Sequence, residues 1–260
     1  MGYESLLYDV RDNVATITIN RPERRNALSW TVMSELRDAF EEAKADRDVR
    51  VVTLTGAGDK AFCAGADLTG MRAEAGWAEV HDGRGELARL FRTMWELGKP
   101  IVARVRGYAL AGGFGLCLAC DLVVAAEDAQ FGTPEIDVGL WPFMITVPLV
   151  RSMPPKVALE LMMTGRRVNA DEALRIGFVN RVVPVDELDA AVADVTATLA
   201  AKSPAIMKLG RDSFYAVWDQ PAEEALRLLH TMLTITSATD DAAEGIAAFA
   251  EKRKPEWKGR

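Results

Sequence analysis

Cysteine is scarce in this 260-residue chain, with only Cys63, Cys117 and Cys120 present. Three cysteines do not make a disulfide framework. Cys117 and Cys120 stand in a C-x-x-C spacing, but they fall in an apolar helical run, where free cysteine packs as a small hydrophobe. Histidine is scarcer still: His81 and His230 are far apart and have no ligand-like neighbours in sequence. No metal site and no histidine base is therefore expected. Positive charge is outweighed, with 31 Lys and Arg against 38 Asp and Glu and a net charge of −7. That balance argues against nonspecific nucleic-acid binding and against docking on an anionic membrane. It leaves room for a local basic pocket that takes a phosphate. Long hydrophobic runs are also missing, and none approaches the ~20 residues of a membrane helix. The opening "MGYESLLYDVRDNVATITIN" has no basic flank before an apolar stretch, so it does not read as a signal peptide. A cytoplasmic location is the resulting expectation.

What is present is an ordinary globular composition, 49% hydrophobic and 27% charged. It is enough for a sizeable core in one large domain or one domain with an appendage. "VATITI" (14–19) alternates as a strand does. "RPERRNAL" (21–28) is a polar, basic loop. Ser29 then caps a helix with Val32, Leu36, Phe40 and Ala43 on one face. The apolar run at 49–56 fits a strand buried on both faces. Residues 86–97 show helical spacing, and 101–105 and 121–126 read as strands again. Strands alternating with helices predict an α/β fold with parallel pairing. After about residue 200 the pattern is helical only, with Ser203, Pro204 and Pro221 as start signals. The expected division is an α/β core over 1–200 and a helical region over 201–260. Residues 70–85, rich in glycine, alanine and charge, read as a mobile loop.

Two segments, "VVTLTGAGDKAFCAGADL" and "IVARVRGYALAGGFGL", run from a strand through a small-residue turn to Ala-Gly and then leucine. The pairs at 64–65 and 111–112 predict two similar turns side by side. Gly112, Gly113 and Gly115 crowd into four positions of an apparent helix, although each glycine there costs about 1 kcal/mol relative to alanine. A turn of small residues leaves its amides uncovered, and at a helix start they have no intrahelical partner. Gly112 and Gly113 on one turn and Ala66 on the other are thus candidate donors to an oxyanion. The same small residues also permit close strand–helix packing.

"AFCAGADL", "GYALAGGFGLCLACDLVVAAEDAQFGTPEI" and "GFVNRVVP", in this order, resemble the enoyl-CoA hydratase/isomerase (crotonase) superfamily. The resemblance runs from "NRPERRNAL" to "AAFAEKRKPEW", nearly the whole chain. It implies a crotonase-like spiral of ββα units with a helical C-terminal trimerisation region. It also implies an acyl-CoA thioester substrate, with no separate cofactor, and a thioester oxygen held by two backbone amides. Ala66 and Gly112 match those two positions. Ala64, Asp67 and Leu68 match the lining of the adenine and pantetheine site, Gly113 lies beside the thioester, and Arg24 is placed to meet CoA phosphates. Phe249 and Lys252 match positions that reach CoA from a neighbouring subunit. A homotrimer or a dimer of trimers is implied, in keeping with the apolar Leu226, Leu229, Leu233 and Ile235 of the tail.

Proton movement at the thioester needs an acid or base. Glu135 lies next to an apolar segment, where partial desolvation raises a carboxyl pKa. By the resemblance it matches one of the two glutamates with which hydratases hold a water. At the other position stands Gly115, and at further aspartate positions of dienoyl-CoA isomerases stand Gly115 and Phe143. One carboxylate suits a proton shuttle, hence double-bond isomerisation. Hydration by Glu135 alone, or acyl-CoA binding with little turnover, are the alternatives. Asp137 would share a face with Glu135 on an extended segment but not on a helix. A glutamate introduced at 115 is expected to face Glu135, provided that the backbone there is helical.

Overall fold

The computed structural model describes residues 2–67 and 76–260, apart from the side chains of residues 77–79. Leu68 and part of the expected 70–85 loop lie outside the described residues. In chain order the elements are β1 (Leu6–Arg11), β2 (Val14–Ile19), α1 (Trp30–Ala45), β3 (Val51–Gly56), β4 (Ala61–Cys63), α2 (Trp77–Arg84), α3 (Glu86–Trp95), β5 (Ile101–Val105), β6 (Tyr108–Leu110), α4 (Gly112–Leu118), β7 (Leu122–Ala126) and β8 (Gln130–Gly132). Then follow α5 (Thr146–Ser152), α6 (Pro155–Thr164), β9 (Arg167–Asn169), α7 (Ala170–Ile176), β10 (Arg181–Val183), α8 (Leu188–Ala200), α9 (Pro204–Val217), α10 (Ala222–Ser237) and α11 (Asp240–Glu251).

Two sheets carry the fold. The larger has the order β1-β2-β3-β5-β7-β10, and the smaller β4-β6-β8-β9. β1 and β2 are antiparallel, and the rest of the larger sheet is parallel. Each of β3, β5 and β7 is followed at once by a short strand of the second sheet, so the chain steps repeatedly from one sheet to the other. The parallel strands are buried on both faces. Val52, Leu54, Ala103 and Val123 point into the main core, while Val51, Val102, Val124 and Ala126 meet Leu188 and Val192 of α8 on the other side. This explains why "VVTLTG" is apolar without alternation.

The local signals act as their chemistry requires. The Ser29 side chain accepts from the Val32 N–H at the start of α1, and Ser203 does the same for Ile206 in α9. Part of the expected loop is helical: α2 occupies residues 77–84. α9 is tied to the core by a part-buried cluster. Asp121 accepts from the Ile101 N–H (2.7 Å), Arg211 Nε (2.9 Å) and the Tyr215 hydroxyl (2.6 Å). Arg211 also donates to the carbonyls of Trp95 and Met94. Among the described residues no helix is long and apolar enough to cross a membrane.

Candidate active site

Three neighbouring strands, β4, β6 and β8, run parallel. Their C-terminal ends therefore lie on one edge, with adjacent strands about 4.8 Å apart. Three residues after β4 comes Ala66, two after β6 comes Gly112, and three after β8 comes Glu135. Sheet topology thus gathers at one edge the two candidate donors and the candidate base, which are separated by up to 69 residues in sequence.

The two turns do lie side by side. Gly65 has φ +96°, and a Cβ on it would fall 2.6 Å from the Ala111 Cβ and 3.4 Å from the Gly112 nitrogen. Only glycine fits that approach. Ala111 is itself held at φ 50°, ψ −129°, a conformation that costs a non-glycine residue on the order of 1–3 kcal/mol. Its N–H donates to the Gly132 carbonyl (2.9 Å), which anchors the turn to β8. Among the described residues, neither the Ala66 nor the Gly112 N–H has a hydrogen-bond acceptor. Ala66 is exposed and Gly112 half-buried. Leu28 and Leu87 flank Gly112, at 3.3 and 3.6 Å from where its Cβ would stand. Gly113 is different: it is buried, and a Cβ there would lie 2.2 Å from the Cys63 carbonyl. Its lack of a side chain lets α4 press onto the end of β4.

Glu135 sits in a 3-10 helix, Pro134–Val138. Its Oε2 is buried and, among the described residues, has no hydrogen-bond partner. Burial raises its carboxyl pKa above the ordinary glutamate value, opposed in part by a bond from its own backbone N–H. A desolvated carboxylate oxygen without a partner is poised to take a proton. Asp137 does not join it. On the 3-10 helix the two side chains diverge, and a Cβ on Gly165, at the end of α6, would lie 2.9 Å from Asp137 Oδ2.

Residues beside the donors prove to be a scaffold. The Leu28 N–H donates to the Gly65 carbonyl (2.8 Å) and the Asp67 N–H to the Leu28 carbonyl (2.9 Å), while the Ala64 N–H donates to Arg25 (3.0 Å). Asp67 accepts from Arg21 (3.0 Å), which also donates to the Ala27 carbonyl. Asn26 is fully buried at φ 57°, accepts from the Arg21 N–H, and donates to the carbonyls of Ala57 and Ala61. The 21–28 loop is therefore a staple across the ends of β3 and β4. Arg21 and Asn26 have no distinguishing signal in the sequence, where the resemblance points to Arg24. Arg24 is exposed on the 3-10 turn Pro22–Arg24.

Phe249 and Lys252 stand at the C-terminal end of α11. Phe249 is 88% exposed on α11, and Lys252 follows that helix at φ 55°. Phe249 lines a cavity of about 1140 Å³ between the core and α9–α11, together with Trp95, Phe214, Trp218 and Ile246. Ala66, Gly112 and Glu135 are not among its lining residues.

The family model described as enoyl-CoA hydratase/isomerase matches residues 9–260. The chain belongs to the enoyl-CoA hydratase/isomerase family. It is 39% identical over 249 residues to a putative enoyl-CoA hydratase of Thermus thermophilus, covering 95% of this chain and 98% of that protein. It is 36% identical to a carnitinyl-CoA dehydratase of Proteus mirabilis, covering 99% of each. The crystal structure of an enoyl-CoA hydratase from Mycobacterium smegmatis superposes with a TM-score of 0.94 at 38% identity, covering 97% of this chain and 98% of that one. The fold is thus the α/β crotonase fold with a helical C-terminal region, and the chain is an enzyme of this family.

Proposed function

We propose that the enzyme acts on an enoyl-CoA thioester and shifts its double bond. The observation that carries this reading is the buried, unpartnered Oε2 of Glu135, at the same sheet edge as two amides without acceptors. With a 3-enoyl ester, Glu135 takes a proton from the α carbon. The electron pair of that C–H bond delocalises through the alkene into the thioester carbonyl. The resulting dienolate oxygen accepts from the Ala66 and Gly112 N–H groups, which are held in place before the reaction begins. Glu135 then returns the proton to the γ carbon, giving the 2-enoyl ester. Every atom is conserved and no carbon is oxidised or reduced overall, so the cycle needs no redox partner.

Hydration is the second reading, and the names of the relatives favour it. Product mass distinguishes the two on a panel of 2-enoyl- and 3-enoyl-CoA esters. Isomerisation leaves the mass unchanged and moves the double bond; a dominant gain of one water overturns the first reading.

In this proposal Ala64, Asp67 and Leu68 border the pantetheine and adenine, Gly113 backs the thioester, and Arg24 meets the CoA phosphates. The α10 and α11 faces carrying Leu226, Leu229, Leu233, Ile246 and Phe249 are exposed, more apolar surface than an isolated subunit normally shows. A homotrimer or dimer of trimers in the cytoplasm covers them and brings Phe249 and Lys252 to a neighbour's CoA. Light scattering at micromolar concentration is expected to show at least a trimer; a monomer overturns the assembly and the shared CoA site.

A further inference from the structure

Gly115 has the helical backbone that would admit a side chain, but the space is taken. A Cβ there would lie 2.2 Å from Ile145 Cγ2, 2.8 Å from Ile145 Cβ and 3.1 Å from Phe91 Cζ. Real Cβ atoms do not approach so closely, so a glutamate at 115 cannot simply face Glu135 as the sequence led one to expect. Ile145 is 2% exposed and is the N-cap residue of α5, with its carbonyl accepting from the Leu149 N–H (3.0 Å). Its burial and its place at the start of α5 leave it little room to withdraw.

The position matters because Gly112 and Gly115 are three apart in α4 and lie on one helix face. α3 runs along that face: Leu87 lies over Gly112 and Phe91 over Gly115. Three residues of helix, a rise of about 4.5 Å, separate the uncovered Gly112 amide from the Ile145 contact. A thioester carbonyl bound at Gly112 therefore has its nearby acyl carbons within reach of this apolar strip. Glycine is disfavoured inside a helix, and here it lets Ile145 sit directly on the α4 backbone.

We propose that Ile145 is the specificity-determining residue of this enzyme. Seated on Gly115, it closes the side of the site three residues of helix from the Gly112 amide with hydrocarbon. Among the described residues, the atoms nearest that position are hydrocarbon and offer a water no hydrogen bond, so the carbanionic intermediate is reprotonated by Glu135 and water addition is suppressed. The inference rests on the isomerisation reading given above. It predicts coupled behaviour at 115 and 145. Removing Ile145 alone leaves an apolar hole, and such holes stay dry. Placing a carboxylate at 115 alone forces it into Ile145. Both changes together provide room and a polar anchor for water. Water oxygen then bonds to the β carbon of a 2-enoyl ester as one of its O–H bonds breaks and that proton passes to the carboxylate at 115; the alkene pair moves toward the thioester, and the α carbon takes a proton from the Glu135 carboxyl, for a net gain of one water once the two carboxyl groups return to their starting protonation.

The test compares wild type, Ile145→Ala, Gly115→Glu and the double variant on the same 2-enoyl- and 3-enoyl-CoA esters. The readout is the ratio of hydrated to isomerised product, which does not depend on the folded fraction. Both single variants should keep the wild-type ratio, with Gly115→Glu lowered in melting temperature. The double variant should raise the ratio roughly tenfold or more. Should the double variant not fold, Gly115→Ser with Ile145→Ala puts a smaller polar group in the same place and is read the same way. A wild-type ratio in a folded, isomerising double variant overturns the proposal while leaving the isomerisation reading intact. A rise already complete in Ile145→Ala overturns the coupling. Water addition as the main wild-type reaction overturns both the reading and the role of Ile145.

Discussion

Glu135→Gln is expected to lower kcat by about 10²–10⁴, the range that a positioned acid or base contributes. Glutamine keeps the shape of the side chain, so the affinity for the CoA ester should change little. The same substitution should stabilise the fold at neutral pH. Burial raises the Glu135 carboxyl pKa in the folded state. For a raised pKa, the favourable contribution is fully present below the unfolded value of about 4.3. It is lost as pH rises through the raised folded value. Above that pH the fold carries an ionised oxygen that has no partner among the described residues. The melting temperature of the glutamine variant should therefore exceed that of wild type near neutrality, and the gap should close as the solution is acidified. Wild-type activity should fall over the same acidic range, because the base form is lost. Near-normal turnover in the variant would remove Glu135 from the mechanism, whatever happens to stability.

Much of the fold and part of the site can be read in the sequence, and the exceptions have physical causes. Alternation in "VATITI" and continuous apolarity in "VVTLTG" correspond to β2 and β3 because burial sets those patterns. Ser29 and Ser203 mark helix starts through bonds that a local motif can encode. The two Ala-Gly turns also announce themselves, since only small residues allow their approach. β4, β6, β8 and β9, in contrast, are three residues each, too short to display a period. α2 hides in a segment whose glycines and charges read as loop. Asn26 looks like one more polar loop residue until its two bonds to the ends of β3 and β4, at Ala57 and Ala61, are seen. Arg21 and Arg24 cannot be ranked by charge, whereas geometry gives Arg21 the Asp67 partner. Ile145 lies thirty positions from Gly115, and no local pattern joins them; only the tertiary contact does.

Ala66→Pro is expected to lower kcat by about 10²–10³, the effect of losing one oxyanion donor. The backbone around it makes this an unusually selective change. Ala66 pairs with Leu28, but the bonds of that pairing use the Gly65 carbonyl and the Asp67 N–H, not the Ala66 N–H. Proline at 66 therefore removes a donor that holds nothing else among the described residues. The ring needs space, and Ala66 is exposed. Proline also crowds the preceding residue through its Cβ, and here that residue is Gly65, which has none. Ala66→Ser, which retains the N–H, should stay within a few-fold of wild type and serves as the control. The loss should appear mainly in kcat, because charge on the thioester oxygen grows on the way to the enolate and the missing bond is strongest there. A folded proline variant with the kcat of the serine control would show that the Ala66 amide does not touch the reacting oxygen. The two-turn site would then reduce to Gly112 alone.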